Sequence, residues 1–537
     1  MAFILATSQT VTTFDGRVYD IGESTTLLVS RDVTVAATGD DGVAIETVGN
    51  CRIQVDGTVV AGGPGGIRQD LASSLGLHYI TVGATGTVTG DNGVILFSNN
   101  NNIANAGEIR GLIGTGVQIS QGSNSLVNTG SIYGASAGVF LGDSNNSVDN
   151  SGLIFSGSTG LSYGIAVSGS NNRINNSGQI VVTTPGNNAA DTAEAVRFFA
   201  GGNFLTNSGA IRSSDLAIKA TDGLAGTANL IINTGVIETT GGSTAIRLSG
   251  SNDTLVNGGR IAGSVVLGAG SDSFDGAAGS LTSGVVLGGD GNDTLVGGAM
   301  RDVLAGDAGA DSLEGGAGDD VLRPGLGSDM IDGGDGLRDL LDYVGATAVK
   351  VNLATGEASG AALGDIFSGI ECLAGSTAND VLTGDGLANT LTGRAGNDLL
   401  AGGGGNDRLV GDAGADTLIG GAGVDILRGG LDADIFRFLA ASDSGAPGQL
   451  RDRIADFVKV QGDRIDLSAI DANAGLAGNQ AFVFRGSQAF SGAGEVRAQV
   501  IDGNTYVSGN TDANTSTVEF SILLLGAVTL GATDFIL

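Results

Sequence analysis

Tryptophan is absent from this 537-residue chain, histidine occurs once, cysteine twice and proline four times. Aromatic residues make up only 4%, which excludes a core built on large rings. Cys51 and Cys372 lie far apart in sequence, so no disulfide framework is expected, only two unbridged, buried thiols. The single histidine, His78, excludes a three-histidine metal site and any convincing Ser-His-Asp arrangement. It alternates with Tyr79 in a strand-like run and reads as structural. No apolar run approaches the ~18 residues of a membrane span. The opening MAFILATSQTVTTFDG lacks the basic segment of a Sec-type signal peptide. Basic residues number 25 against 57 acidic ones, a net charge of −32. That balance argues against nucleic acid and anionic membranes as partners and for divalent cations.

What is abundant is glycine, 96 residues, and much of it is periodic. From Gly288 the chain reads GGDGNDTLV, GGAMRDVLA, GDAGADSLE, GGAGDDVLR, PGLGSDMID, GGDGLRDLL. It resumes at Gly375 with GSTANDVLT, GDGLANTLT, GRAGNDLLA, GGGGNDRLV, GDAGADTLI, GGAGVDILR, GGLDADIFR. An apolar residue holds every ninth place: Leu295, Leu304, Leu313, Leu322, Ile331 and Leu340, then Leu382, Leu391, Leu400, Leu409, Leu418, Leu427 and Phe436. A low-complexity linker would not keep that register. The last three residues of each unit predict a short strand with its middle side chain inward. The glycines predict a tight turn with positive φ. Such a turn aims carbonyl oxygens inward beside one carboxylate, a flexible all-oxygen environment that suits Ca²⁺.

This pattern resembles the GGxGxDxUx nonapeptide of the RTX (repeats-in-toxin) family. The resemblance implies a parallel β-roll, two units to a coil, with several Ca²⁺ ions held between turns. The matching aspartates are Asp293, Asp302, Asp311, Asp320, Asp329, Asp380, Asp398, Asp407, Asp416, Asp425 and Asp434. Turn glycines of the same sites include Gly289, Gly291, Gly316, Gly318, Gly403 and Gly405. Met300, Pro324 and Asp432 replace consensus glycines, Asn389 replaces the aspartate, and Arg338 displaces it.

A longer repeat precedes this block. Its marker is Asn-x-Gly-x-Ile, beginning at Asn105, Asn128, Asn150, Asn176, Asn207, Asn233 and Asn257. With a second run (GVILF, GVQIS, GVFLG) and a third before each Asn, it predicts three strands per coil: an all-β, right-handed parallel β-helix. This part resembles the coils of bacterial adhesins. The Asn column reads as a structural amide ladder, with a binding ladder as the alternative. Arg197, Lys219 and Arg247 recur at equivalent places between inward neighbours and point outward. They are either a solvated face or a candidate glycan-binding row for an acidic polysaccharide.

After Arg437 the elements IADF, GDRIDLSAID, GEVR, GNTDAN and the final DFIL resemble the C-terminal region of the serralysin (peptidase M10) family. The HExxH motif of those proteases is missing, so the protease activity does not carry over. The resemblance implies a cap on the roll whose last residues, Asp534, Phe535, Ile536 and Leu537, are an uncleaved signal for a type I secretion apparatus. The expected order is a cap and first coil at 1–40, the β-helix at 41–262, the roll at 263–437 with an insertion at 342–375, and the cap at 438–537. The functional expectation is a secreted, extracellular, calcium-binding surface or matrix component without catalytic or cofactor-binding residues. The alternative is a β-helix polysaccharide lyase or epimerase carrying an RTX module.

Overall fold

The computed structural model describes residues 2–6, 9–12, 17–22, 24–38, 40, 42–70, 77–157, 160–183, 193–221, 226–445 and 451–537. Parts of the expected N-terminal cap, and residues 446–450 of the C-terminal region, lie outside them. Among the described residues the regular elements are strands, apart from one 3₁₀ turn at Ala532–Asp534. The chain forms two compact units, 1–299 and 300–537. The expected boundary between helix and roll at 262/263 falls within the first.

The first unit is a parallel β-helix of three sheets. One coil consists of Asn102–Asn105, Glu108–Gly111 and Thr115–Ile119. The next, Ser125–Asn128, Ser131–Gly134 and Ala137–Leu141, lies on it in register, pairing Ile103 with Leu126, Ile109 with Ile132 and Val117 with Val139. The isoleucine of each Asn-x-Gly-x-Ile marker therefore stacks on the one before. Ile109, Ile132, Ile154, Ile180, Ile211, Ile237 and Ile261 are all fully buried. Each such side chain contributes roughly 1.5–3 kcal/mol of burial. The marker glycine is required by close approach, because a Cβ on Gly152 would lie 2.7 Å from the carbonyl carbon of Thr129 in the coil below.

The marker asparagines form one continuous column. Nδ2 of Asn105 donates to Oδ1 of Asn128 at 2.7 Å, and the same bond links Asn128 to Asn150, Asn150 to Asn176 and Asn176 to Asn207. It continues from Asn207 to Asn233 and from Asn233 to Asn257, each at 2.8 Å. The column is structural: buried amides satisfy one another down the stack.

The second unit is a β-roll whose repeat strands lie in three sheets. One sheet carries Leu304, Leu322, Leu341, Leu373, Leu391, Leu409 and Leu427 inward. Opposite strands carry Leu313 and Ile331 in a second sheet and Leu382, Leu400, Leu418, Phe436 and Ile465 in a third, and all of these are buried. One expectation is corrected here. Leu340 pairs with Val321 and is half-buried, while Leu341 pairs with Leu322 and fills the core. The unit from Gly333 has one residue more than its neighbours, so its inward position is displaced by one. The insertion supplies a hairpin, Val349–Asn352 against Glu357–Gly360, and adds Ile366–Ser368 and Cys372–Ala374 to the roll's own sheets. The C-terminal region closes the stack, with Arg453–Ile454 pairing both Ile426–Leu427 and Leu523–Leu524.

Candidate metal centre

The aspartates of the repeat form two buried columns in the second unit. Along one, the backbone N–H of Asp380 donates to Oδ1 of Asp398, that of Asp398 to Asp416, and that of Asp416 to Asp434, at 2.8–3.0 Å. Along the other, Asn389 donates to Asp407 and Asp407 to Asp425, both at 2.8 Å. Asp302 donates likewise to Asp320 and Asp311 to Asp329. One oxygen of each accepting carboxylate is thus spent on the neighbouring coil. The other oxygen, Oδ2, of Asp320, Asp329, Asp398, Asp407, Asp416, Asp425 and Asp434 is buried without a hydrogen-bond partner.

An orphaned buried carboxylate oxygen is costly. Burial pushes Asp398, Asp407 and Asp434 up to about 7, and Asp320 and Asp416 up to about 6. Other oxygens converge on the same points. A Cβ at Gly402 would collide with Oδ2 of Asp407 and lie 2.5 Å from the Gly420 carbonyl oxygen. At Gly411 it would collide with Oδ2 of Asp416 and lie 2.6 Å from the Gly429 carbonyl oxygen. Among the described residues no three His, Cys, Asp or Glu side chains cluster as a side-chain-only metal site. Any ion must therefore take backbone carbonyls as well, and the oxygen-only donor set fits Ca²⁺.

The turns have the strained geometry the repeat predicts. Gly289, Gly291, Gly316, Gly318, Gly403 and Gly405 have φ between 96° and 130°. Asp307, Asp412 and Arg394 hold the second place at 71°, 76° and 83°, and Asp432 holds the fourth at 74°. Replacing glycine at these places therefore does not abolish the turn. Asp293 accepts the Asp272 N–H through Oδ1, also at 2.8 Å. Asp380 differs from the rest, since its two oxygens already accept from Val349, Ser376 N–H and the Ser376 hydroxyl.

Several column members escaped the nine-residue count. Asp339 occupies the place that Arg338 vacates: it accepts from Asp320 at 2.8 Å and its Oδ2 is buried without a partner. Asp452 accepts from Asp425 and Asp463 from Asp434. Both precede Arg-Ile, so the Asp-x-apolar signal was present outside the strict period. Burial raises Asp452 to about 8. In the first unit, Asp253 stands in SNDTLV, which repeats the NDTLV of Asp293.

A second asparagine column shows what the aspartates lack. In the first unit the backbone N–H of Asn101 donates to Oδ1 of Asn124, and the same link runs through Asn146, Asn172, Asn203 and Asn229 to Asp253, Asp272 and Asp293. The backbone arrangement is that of the aspartate columns. The amide, however, brings its own donors. Nδ2 of Asn101 reaches both the Ser98 carbonyl, at 2.7 Å, and Asn124 Oδ1, at 2.8 Å. Asn124 does the same with Gln121 and Asn146. The amide group supplies its own donor, whereas the carboxylate rungs whose Oδ2 has no partner can be compensated by a cation or a proton.

The basic row stacks in register, Arg197 beside Lys219 and Lys219 beside Arg247. It is not a row of unpaired cations. Glu194, 1% exposed, binds Arg197 at 2.9 Å and Lys219 at 2.9 Å, while Arg247 is exposed. Removing both partners (Arg197→Ala with Lys219→Ala) strands a buried carboxylate and is expected to cost about 3–5 kcal/mol in urea unfolding. A change under about 0.5 kcal/mol would show the row to be solvated surface. Tyr163, nearby, is raised by burial and then by Glu194, which suits a neutral hydroxyl and not a base. His78 is buried, lowered to about 4 by desolvation, and its ring nitrogens have no partner. Both cysteines remain thiols, Cys51 buried and Cys372 half-buried.

The C-terminus is built into the fold. Asp534 accepts from Lys459 and the Gly531 N–H, both at 2.7 Å. Phe535–Ile536 pairs with Ile465–Asp466 as an edge strand, and Phe535 is buried.

Four copies of the RTX calcium-binding nonapeptide repeat match this chain, at residues 287–322, 306–336, 374–409 and 401–436. No curated protein matches. Similar solved structures include two subunits of the Azotobacter vinelandii mannuronan C5-epimerase. AlgE6R2 is 30% identical over 29% of this chain and 91% of its own, with a TM-score of 0.22. AlgE6R3 is 30% identical over 30% and 79%, with a TM-score of 0.16. No helix among the described residues is long and apolar enough to cross a membrane.

Proposed function

We propose that this RTX-repeat chain is an exported calcium-binding protein that folds on meeting extracellular Ca²⁺ and serves as a non-enzymatic surface or matrix component. The observation that carries the reading is the set of buried, partnerless Oδ2 atoms in the aspartate columns. Bound Ca²⁺ would supply the positive charge that compensates them. Asp320, Asp329, Asp398, Asp407, Asp416, Asp425 and Asp434 would hold it, with turn carbonyls such as Gly420 and Gly429. At low Ca²⁺ the like-charged rungs repel and oppose closure of the roll.

The packed C-terminus supports the export part of the reading. Phe535 is buried and Asp534 is ion-paired, so a secretion signal there is readable only before the cap folds. A cytosol poor in Ca²⁺ would keep it readable. Deleting residues 534–537 is expected to leave the protein inside cells that carry a type I exporter, measured as the extracellular fraction on immunoblots. Unchanged export of the truncated chain would place the signal elsewhere.

A further inference from the structure

The second aspartate column is interrupted, and the interruption carries unpaired positive charge. Asp339 donates its N–H to the Glu371 carboxylate instead of to an aspartate, and the next rung is Asn389. Two adjoining grooves open here, about 450 Å³ and about 290 Å³, sharing Arg338, Cys372 and Thr390 as walls. Arg301 and Arg394 line the first and Arg408 the second. Arg394 is tied to Asp342 at 2.6 Å. Arg301, Arg338 and Arg408 are exposed and stand in none of the ion pairs of the described residues.

Three unpaired arginines along two adjoining grooves, with Arg338 in the wall of both, are unexpected on a protein of net charge −32, where acidic neighbours are plentiful. We propose that this groove of the roll binds a carboxylated polysaccharide, with Arg301, Arg338 and Arg408 each taking a uronate carboxylate. Guanidinium forks match carboxylates in bidentate fashion. Thr390, Thr392, Asn389 and Asn406, also in the walls, offer neutral hydrogen bonds to sugar hydroxyls. The strand next to Arg338 lies two register steps from that next to Arg301 and three from that of Arg408. At ~4.8 Å per step the three cations span roughly 24 Å, sparse enough for a polymer with one charge per sugar. A nucleic acid fits less well. Its charge recurs every ~1.7 Å, and the groove walls include no aromatic ring for bases to stack on.

The test uses the full chain folded in millimolar Ca²⁺ and a short oligogalacturonate, too short to gel, in isothermal titration. The parent should bind and weaken with added salt. Arg301→Gln, Arg338→Gln and Arg408→Gln together should lower affinity on the order of tenfold or more, with the Ca²⁺-dependent circular dichroism of the parent retained. Arg338→Lys alone should give an intermediate loss, because it keeps charge without the fork. Should the triple variant misfold, Arg408→Gln alone carries the test. The proposal is overturned if the parent ignores oligogalacturonate, if the folded variants bind as the parent does, or if duplex DNA binds equally well. These outcomes are independent of export and of the Ca²⁺ dependence of folding, which dichroism reads separately.

Discussion

In EGTA the full-length protein should lose a large part of its β-sheet circular dichroism, and millimolar Ca²⁺ should restore it cooperatively. The loss comes from the second unit, whose aspartate columns hold carboxylates 18 residues apart in sequence on adjacent coils, with Oδ2 of Asp398, Asp407, Asp416, Asp425 and Asp434 left unsatisfied. Each occupied site adds about 2.7 kcal/mol when Ca²⁺ stands at 100 times its dissociation constant. Several such sites are enough to move a domain of ordinary stability from unfolded to folded. Asp407→Ala should raise the Ca²⁺ midpoint. Asp407→Asn should be the milder change in EGTA, because an amide brings the donor that Asn101 and Asn124 use in their own column. A β-signal indifferent to EGTA would refute the requirement.

Acid should stand in for calcium. Asp398, Asp407 and Asp434 are held at about 7 by burial, above the ordinary 3.8. A carboxyl whose folded pKa is raised binds more protons folded than unfolded between those values. Its contribution to stability is complete below about 3.8 and is lost as pH rises through about 7. In EGTA, thermal melts of the roll should therefore rise as pH falls from about 8 to about 5. With Ca²⁺ present the trend reverses in the titration midpoint, since protons compete for the same oxygens. Melts in EGTA that are highest at about pH 8 would contradict the burial argument.

Much of this was legible in the sequence because the repeat couples three signals. Glycine marks the turn, aspartate the column and leucine the core, and all keep one period. The Asn-x-Gly-x-Ile marker worked for the same reason, with its asparagine in an amide column and its isoleucine in the core. Legibility failed where the period slipped. The additional residue after Gly333 is hidden by the doubled Leu340-Leu341, so the nine-residue count lands on Arg338 and not on Asp339, which accepts from Asp320 in the column. Asp452 and Asp463 are not legible from the period because the chain between them and the roll carries no repeat. The second asparagine column is masked in the sequence because its members sit amid other Asn and Ser residues, as in SNNNNIAN. Glu194 was invisible because its function depends on Lys219 in the next coil, a neighbour set by stacking and not by sequence. The arginine groove was hidden for that reason too, since Arg301, Arg338 and Arg408 come together only when insertion and roll share a sheet.

The central claim is that a cation does for the aspartate columns what the side-chain amide does for the asparagine columns. Hydrogen exchange read by mass spectrometry on the intact chain, in EGTA and in millimolar Ca²⁺, tests it most directly. Peptides spanning residues 101–233, held by the asparagine columns, should be protected in both conditions. Peptides spanning residues 374–437 should be protected only with Ca²⁺. Equal protection of both regions in EGTA, or loss of both together, would contradict the account.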